Sequence, residues 1–474
     1  MLDGWIALDR GARVPLAEQI YRQIRDAVRT GRIAQNSLFP SSRSLAQRLG
    51  VSRNTVTAAY ELLQGEAIIC VTAGAAPRSR GQASALPVAA ANPAETRLSA
   101  LGTLMARDRN ESVYHGSNGR LRPGQPDVSL FPKDLWARSL RRAARMLPDR
   151  SLLYDHAEGL PALRTILSLY LAEARGVTVA PEHLHIVPTI QSALAMLGAC
   201  LADPGDTIWI EDPGYLGARA AFGAARLAPM PVDADGANPA AMAGTPRLIY
   251  TTPSHQYPTG VRMSLPRRLA LLETARRHGA IVLEDDYDSE FLWHGRPIPA
   301  LQALSTAGEV IYLGTVAKSL LPGLRLAWLA APPALSAKLV AIQRNLGLLA
   351  NVHAQAAFAD FIDGGHYRTH LNRISTIYEA RAAALVAAIA ARCGDAVTMA
   401  PSHGGLQSLA RFDPAVDDQE VARHLHADGF SVPFLSGLCL GERQSGLVIG
   451  FGDAGAADAD RFAGALARAL ASPA

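Results

Sequence analysis

The sequence predicts an α/β main domain on a mostly parallel sheet, joined by a linker to a small helical head. Three observations carry that prediction. After about residue 114, short apolar runs alternate with helical stretches, the pattern of a parallel sheet covered by crossover helices. Residues 1–72 show helical periodicity broken by glycines. Between the two, residues 73–112 are rich in Ala, Pro, Ser and Gly with weak periodicity, and they read as a flexible linker. The expected division is therefore 1–72, 73–112 and 113–474.

Bulk properties narrow the class. A length of 474 residues suits two or three domains. A composition 49% hydrophobic and 19% charged fits a folded chain rather than a disordered one. The N-terminus lacks the pattern of a secretory leader. No apolar run reaches the roughly 18 residues of a membrane span. Cys70, Cys200, Cys393 and Cys439 are scattered without a CxxC pair, which points away from a zinc site or a disulfide framework. The expectation is a reduced, cytoplasmic protein.

In the head, Leu16, Ile20, Ile24 and Val28 recur every four residues and predict an amphipathic helix ended by Gly31. Ser41 or Ser42 caps a second, short helix with Leu45 and Leu49 facing inward. Gly50 breaks the chain, and Ser52 caps a third helix that buries Val56, Tyr60 and Leu63. Arg53, Asn54 and Thr55 then occupy its exposed first turn. This is the helix-turn-helix arrangement, in which such side chains reach base edges while Arg43 holds phosphate. An ordinary three-helix bundle has the same periodicity. Charge suits a polyanion partner and a solvated arginine-rich face equally: residues 1–80 carry eleven arginines against six acidic residues, in a chain whose net charge is +4.

In the body, LHIV, TIWIE, RLIYT, AIVLE and VIYLG read as buried strands, and residues 265–278 as a helix between two of them. Small and polar residues follow four of these strands: EDPGY (211–215), TPSHQYPTG (252–260), EDDYDSEF (284–291) and GTVAKS (314–319). Ligands of open α/β sheets bind at the carboxyl ends of strands, so these four segments are expected to converge.

Lys318 lies in the last of them. Of 46 basic residues only three are lysines: Lys133, Lys318 and Lys338. Arginine replaces lysine for most surface duties but cannot form an imine. A lysine kept at a strand end therefore suggests amine chemistry, with a lysine capping a carbonyl as the simpler alternative. Asp285 and Tyr287 supply the acid and phenol that a pyridoxal phosphate ring needs, although two adjacent aspartates also suit a solvated turn. Thr315, Ser319 and Arg325 lie close by in sequence as phosphate ligands. The helix opening at Thr189, Gln191 and Ser192 offers an N-terminus to the same group.

Two resemblances sharpen this. FPSSRSLAQRLGVSRNTVTAAYELL resembles the winged helix-turn-helix of GntR-type regulators, which implies DNA binding through Arg43, Ser52, Arg53, Asn54 and Thr55. The wing string VTAGAAPRSR departs from the family's pattern and leaves Arg78 and Arg80 for phosphates. Residues 115–455, through EDPGY, TTPSHQYPTG, LEDDYDSEF and YLGTVAKSLLPGLRL, resemble fold-type I aminotransferases. Together the chain is similar to MocR/GabR-type regulators, a GntR head on an aminotransferase-like body.

The resemblance implies pyridoxal 5'-phosphate held as an aldimine on Lys318. Asp285 is then at the pyridine nitrogen, Tyr287 at the phenolic oxygen and Tyr215 on the ring face. Arg325, Thr315, Gln191 and the backbone of Ile190 take the phosphate. Tyr154, in YDHAEG, reaches the neighbouring subunit's phosphate, which implies a homodimer. Tyr257 stands where the enzymes have asparagine, and Ala317 where serine is common. For an effector carboxylate, Arg443 is the first candidate and Arg219 the second. The implied function is a transcription regulator that senses an amino compound or pyridoxal phosphate. The alternatives are a working aminotransferase with a DNA-binding appendage, and a regulator whose body no longer binds the cofactor.

Overall fold

The computed structural model describes residues 6–12, 14–71, 76–80, 97–106, 113–114, 119–293, 298–400 and 403–471. The chain forms two compact units, Met1–Arg97 and Leu98–Ala474.

The first unit is built as its periodicity requires. Helix α1 (Leu16–Arg29) buries Ile20 and Ile24, and α3 (Arg53–Gly65) buries Val56, Tyr60 and Leu63 against the same small core. Between them α2 (Ser42–Leu49) is capped by Ser41, whose side chain accepts from Ser44 N, and buries Leu45. Leu49 is only half-buried at its end. Gly50 takes φ +62° at the end of α2, a left-handed conformation that costs glycine little. Ser52 then caps α3 by accepting from Thr55 N.

The head continues past residue 72. Strand β1 (Ile69–Cys70) pairs antiparallel with β2 (Arg78–Ser79). The Ser79 hydroxyl accepts from Ser37 N and donates to Ala34 O at 2.8 and 2.7 Å. The wing therefore belongs to the head through Arg80, whose N donates to Ile68 O. Backbone pairing holds it with little apolar burial, so its composition resembles that of a linker. Within the rest of residues 73–112, Ala100–Met105 is helical. Residues 73–75, 81–96 and 107–112 lie outside the described residues.

The second unit carries an eight-stranded sheet of β3 (Leu184–Val187), β4 (Thr207–Asp212), β5 (Arg226–Asp233), β6 (Gly236–Ala237), β7 (Leu248–Thr251), β8 (Ile281–Asp286), β9 (Val310–Thr315) and β10 (Ala327–Ala330). Their order is β3-β10-β9-β8-β7-β4-β5-β6. The five central strands run parallel, whereas β10 is antiparallel to both neighbours and β6 to β5. The parallel strands β4, β7, β8 and β9 are buried on both faces, which explains their continuous apolar runs. All five strands read from sequence are present, as is the helix Leu265–His278.

A second, antiparallel sheet of β11 (Thr398–Met399), β12 (Gln407–Arg411) and β13 (Gly446–Gly450) follows in the chain. The helices His366–Cys393 and Ala456–Ala471 pack on each other beside it. Residues His366–Ala396 have the length and hydropathy of a membrane span. The helix nevertheless buries Tyr367, His370, Ile374, Tyr378 and Leu385 in the protein core, and it carries Arg368, Arg373, Glu379 and Arg381.

Candidate functional site

The carboxyl ends of β4, β7, β8 and β9 open into one cavity of about 370 Å³. Each expected segment contributes: Tyr215 and Leu216 after β4, Thr252 and Tyr257 after β7, Asp285 and Tyr287 at the end of β8, and Thr315, Ala317 and Lys318 after β9. Glu211 ties two of these loops together. Its carboxylate accepts from Thr251 Oγ1, Thr252 N and Oγ1, and Gln256 Nε2 at 2.5–3.3 Å. Burial pushes its pKa up, and these four donors oppose the rise.

Asp285 dominates the electrostatics. Oδ2 accepts from Tyr250 Oη at 2.8 Å, while Oδ1 is buried without a partner. Burial, helped by the charge of Asp286, pushes its pKa from the ordinary 3.8 to about 7. Asp286 behaves oppositely. Arg175 Nε and Tyr312 Oη hold it at 2.7 Å each, and it falls below the usual carboxylate range despite its burial. Neither aspartate forms a solvated turn: both are 4% exposed.

Lys318 Nζ donates to Gly124 O at 2.7 Å. Burial pushes the amine below its ordinary value, against the pull of Asp288 and Asp285. The Tyr287 hydroxyl accepts from Gln407 Nε2 at 2.8 Å and lies 3.3 Å from His255 Nδ1. Tyr257 packs edge-on between Tyr215 and Tyr287, with centroids 5.9 and 6.5 Å away. Burial raises the pKa values of Tyr257 and Tyr287, so both stay neutral near pH 7.

Across the cavity, Ile190 and Gln191 begin the helix Ile190–Leu201, which a reciprocal Thr189–Ser192 capping box holds in place. The N–H groups of a first helical turn, together with the helix dipole, make that end attractive to an anion. Thr315 and Arg325 line the same cavity. Arg325 adopts φ +52°, which costs a residue other than glycine about 1–3 kcal/mol.

The donor set fits pyridoxal phosphate. The orphaned Oδ1 of Asp285 needs a cationic or N–H partner, and a protonated pyridine nitrogen is one. The helix N-terminus, Thr315 and Arg325 together suit a phosphate, and Tyr215 offers an aromatic face.

Several expected residues are elsewhere. Ser319 faces away from the cavity, its hydroxyl 2.8 Å from Tyr367 Oη. Arg443 is exposed, 3.5 Å from Asp417 and 3.6 Å from Asp418, and it does not line the cavity. Its position just before β13 suggests the cavity, but the side chain turns outward to the two aspartates. Arg219 is bound to Leu438 O and lies 3.6 Å from Asp212, also outside the lining. Tyr154 is 82% exposed and is not part of this cavity in its own chain. Sequence reasoning missed Arg122, which stacks 4.8 Å over Tyr114 on the cavity wall, and Gln407. The Pro-Gly turn after Arg122 was the available signal for the first. Gln407, inside β12, had none.

At the head, Arg43, Ser52, Arg53 and Asn54 are exposed, and Arg53 and Asn54 stand on the first turn of α3. Thr55 is half-buried with its hydroxyl 2.8 Å from Ser52 Oγ, so it belongs to the cap as much as to the surface.

The description "Bacterial regulatory proteins, gntR family" matches residues 16–76, and "Aminotransferase class I and II" matches residues 132–436. The chain is 36% identical to the probable rhizopine catabolism regulatory protein MocR of Rhizobium meliloti, over 91% of this chain and 88% of that one. It is 29% identical to the pyridoxine biosynthesis transcriptional regulator PdxR of Corynebacterium glutamicum, over 94% of each. Among solved structures it resembles LysN, an alpha-aminoadipate aminotransferase of Thermus thermophilus complexed with N-(5'-phosphopyridoxyl)-L-leucine. That match has a TM-score of 0.70 and 25% identity, and covers 79% of this chain and 97% of that one.

The raised pKa of Asp285 has a measurable sign. Between its unfolded value near 3.8 and its folded value of about 7, the folded state binds the extra proton. Cofactor-free protein therefore loses stability through this group as pH rises across that window. Asp285→Asn removes the loss. The melting temperature of the cofactor-free variant, relative to wild type, is expected to climb from pH 4 to pH 7 and then level off. A difference independent of pH would mean that Asp285 is not held protonated by burial.

Proposed function

The chain belongs to the MocR-type transcription regulators, in which a gntR-family DNA-binding head is fused to an aminotransferase-like body, and we propose that it binds operator DNA as a homodimer and senses an amino compound, or pyridoxal phosphate itself, at Lys318. When bound, the cofactor supplies an aldehyde carbon with which a primary amine condenses.

This chain's residues prepare the site for that chemistry. Burial of Lys318 raises the share of its amine that is unprotonated and nucleophilic. Asp285 would hold a proton at the pyridine nitrogen, and Tyr287 would donate to the phenolic oxygen. Tyr215 would cover the ring. The N–H groups at Ile190 and Gln191, with Thr315 and Arg325, would hold the phosphate.

The contact from Lys318 Nζ to Gly124 O is the observation that favours sensing. The strap around Gly124 is tied to the C-terminal sheet by Gly450 N, which donates to Leu121 O at 2.8 Å, and to the segment after the helix Asp418–Ala427 by Ser431 N, which donates to Arg120 O at 2.9 Å. A lysine drawn toward a ligand releases this strap, so the state of the amine reaches residues beyond the cavity. Regulation then requires unequal effector affinity for the held and released states.

Three further features support the reading. Leu152, Leu153 and Tyr154 are 49%, 65% and 82% exposed, an apolar surface suited to a second copy into whose site Tyr154 reaches. Tyr257 replaces the asparagine of the enzymes, and neither Arg219 nor Arg443 lines the cavity, which favours sensing over turnover. Operator binding by Arg53 and Asn54 from α3, with Arg43 on phosphate, implies a cytoplasmic protein.

Pyridoxal phosphate added to the purified protein is expected to give visible absorbance that is absent in Lys318→Ala. Borohydride reduction followed by peptide mapping is expected to label Lys318, and an unlabelled Lys318 would end the cofactor reading. Amino acids should convert the bound cofactor without sustained keto-acid release. Turnover at ~1 s⁻¹ or faster, an ordinary enzyme rate, would make the body a working aminotransferase. Arg53→Ala is expected to weaken operator binding by about 1–3 kcal/mol, and affinity is expected to fall steeply with salt as counterions are released. Unchanged operator affinity in that variant would place the recognition surface off α3.

A further inference from the structure

We propose that His255 is a positioning residue for Tyr287: anchored by Asp288, it donates to the tyrosine oxygen from behind and leaves the hydroxyl proton aimed into the cavity. The inference rests on reading that cavity as the cofactor site.

The geometry is specific. His255 Nδ1 lies 2.9 and 3.1 Å from the two Asp288 oxygens and 3.3 Å from Tyr287 Oη. Gln407 Nε2 donates to that same Oη at 2.8 Å. A phenol oxygen accepts two hydrogen bonds and donates one. With the amide in one acceptor direction and the shared imidazole N–H in the other, the remaining direction belongs to the tyrosine's own proton. Tyr287 lines the cavity, so that proton is presented to whatever binds there.

His255 is held in place on every side. It is 8% exposed and Asp288 is 1% exposed. Gly405 closes over the ring at φ +78°, where a Cβ would lie 2.1 Å from His255 Cε1 and 2.8 Å from Asp288 Oδ2. Behind the pair is a cleft of about 30 Å³, with Arg175, Arg262, Arg268 and His403 in its walls. Burial works against a charge on His255, and the attraction and hydrogen bond of Asp288 outweigh it, so the imidazole pKa is raised. A protonated or Nδ1–H imidazole has a hydrogen to offer in either case.

The consequence is spectroscopic. A hydroxyl proton donated to the cofactor's phenolic oxygen stabilises that oxygen as an anion. Without it, the protonated form of the loaded chromophore persists to higher pH. The test is the pH midpoint of the visible absorbance change in pyridoxal-phosphate-loaded protein. Tyr287→Phe and His255→Leu should each raise the midpoint by about one pH unit, the size expected for one hydrogen bond to a charged group. The double variant should rise no further than Tyr287→Phe alone. His255→Asn, which keeps a donor near the Nδ1 position, should return most of the shift.

A wild-type midpoint in His255→Leu alongside a shifted Tyr287→Phe overturns the proposal, as does an additive double variant. If His255→Leu does not take up the cofactor, His255→Phe, which keeps a ring and removes the donor, decides: a rise supports the proposal and a wild-type midpoint overturns it. A wild type that stays colourless with pyridoxal phosphate overturns the cofactor reading and this inference with it. A coloured wild type with an unmoved His255→Leu midpoint overturns only the role of His255.

Discussion

A carboxylate buried with one oxygen unpaired is the constraint around which the body is organised. Strand pleating explains how β8 sustains three consecutive acids, because successive side chains leave on opposite faces. Glu284 and Asp286 share one face. There Glu284 accepts from Leu301 N and Gln302 N at 2.7 and 2.9 Å, and Asp286 meets Arg175. Asp285 alone faces the cavity, where Tyr250 satisfies one oxygen and nothing satisfies the other. Leaving a buried acceptor unmade costs about 1–3 kcal/mol, a cost that a bound cation or N–H donor removes. The site is thus arranged to be incomplete until a ligand with such a donor enters.

The loops that frame Asp285 depend on a second buried acid. Glu211, at the end of β4, gathers donors from the loop after β7, so Tyr215 and Tyr257 are positioned by one carboxylate outside the cavity. Gln256 Nε2 extends the connection to Pro213 O at 2.9 Å. The aromatic wall and the acid are therefore set by the same strand ends, and a change in either loop is felt by both.

What could be read in advance follows from how local each signal is. Caps at Ser41 and Ser52, the break at Gly50 and the five apolar strands depend on neighbours in sequence, and each occurs where expected. The polar strings after strands were legible for the same reason, because a parallel sheet must place its strand ends together. Strand β5 was missed since RLAPMPVD carries two prolines, and β10 since AWLA is short and returns antiparallel immediately after Arg325. The wing strand β2 is held by pairing alone. Arg443 and Arg219 lie outside the cavity lining because sequence distance to a strand does not give the direction of a side chain. Arg122 and Gln407 come to Lys318 from opposite ends of the body's sequence, and no local pattern announces such a meeting.

Sensing and turnover ask different things of one cavity. Turnover requires interactions that strengthen only in the transition state, with groups poised to move protons. Sensing requires only that one state of the protein bind the ligand better. Among the described residues lining this cavity, Asp285 is moved to about 7 and Lys318 is lowered, whereas Tyr114, Tyr250, Tyr257 and Tyr287 are all pushed further from physiological pH. The part of the wall beyond Lys318 is Val113, Tyr114, Leu216 and Tyr257, several of them packed on Leu409, Leu435 and Val448, with Arg122 stacked on Tyr114. That surface presents apolar and aromatic side chains and one cation, Arg122, to the cavity. Lys318 and Asp285 are the lining groups whose pKa values move toward neutrality, so proton exchange in this cavity centres on that pair.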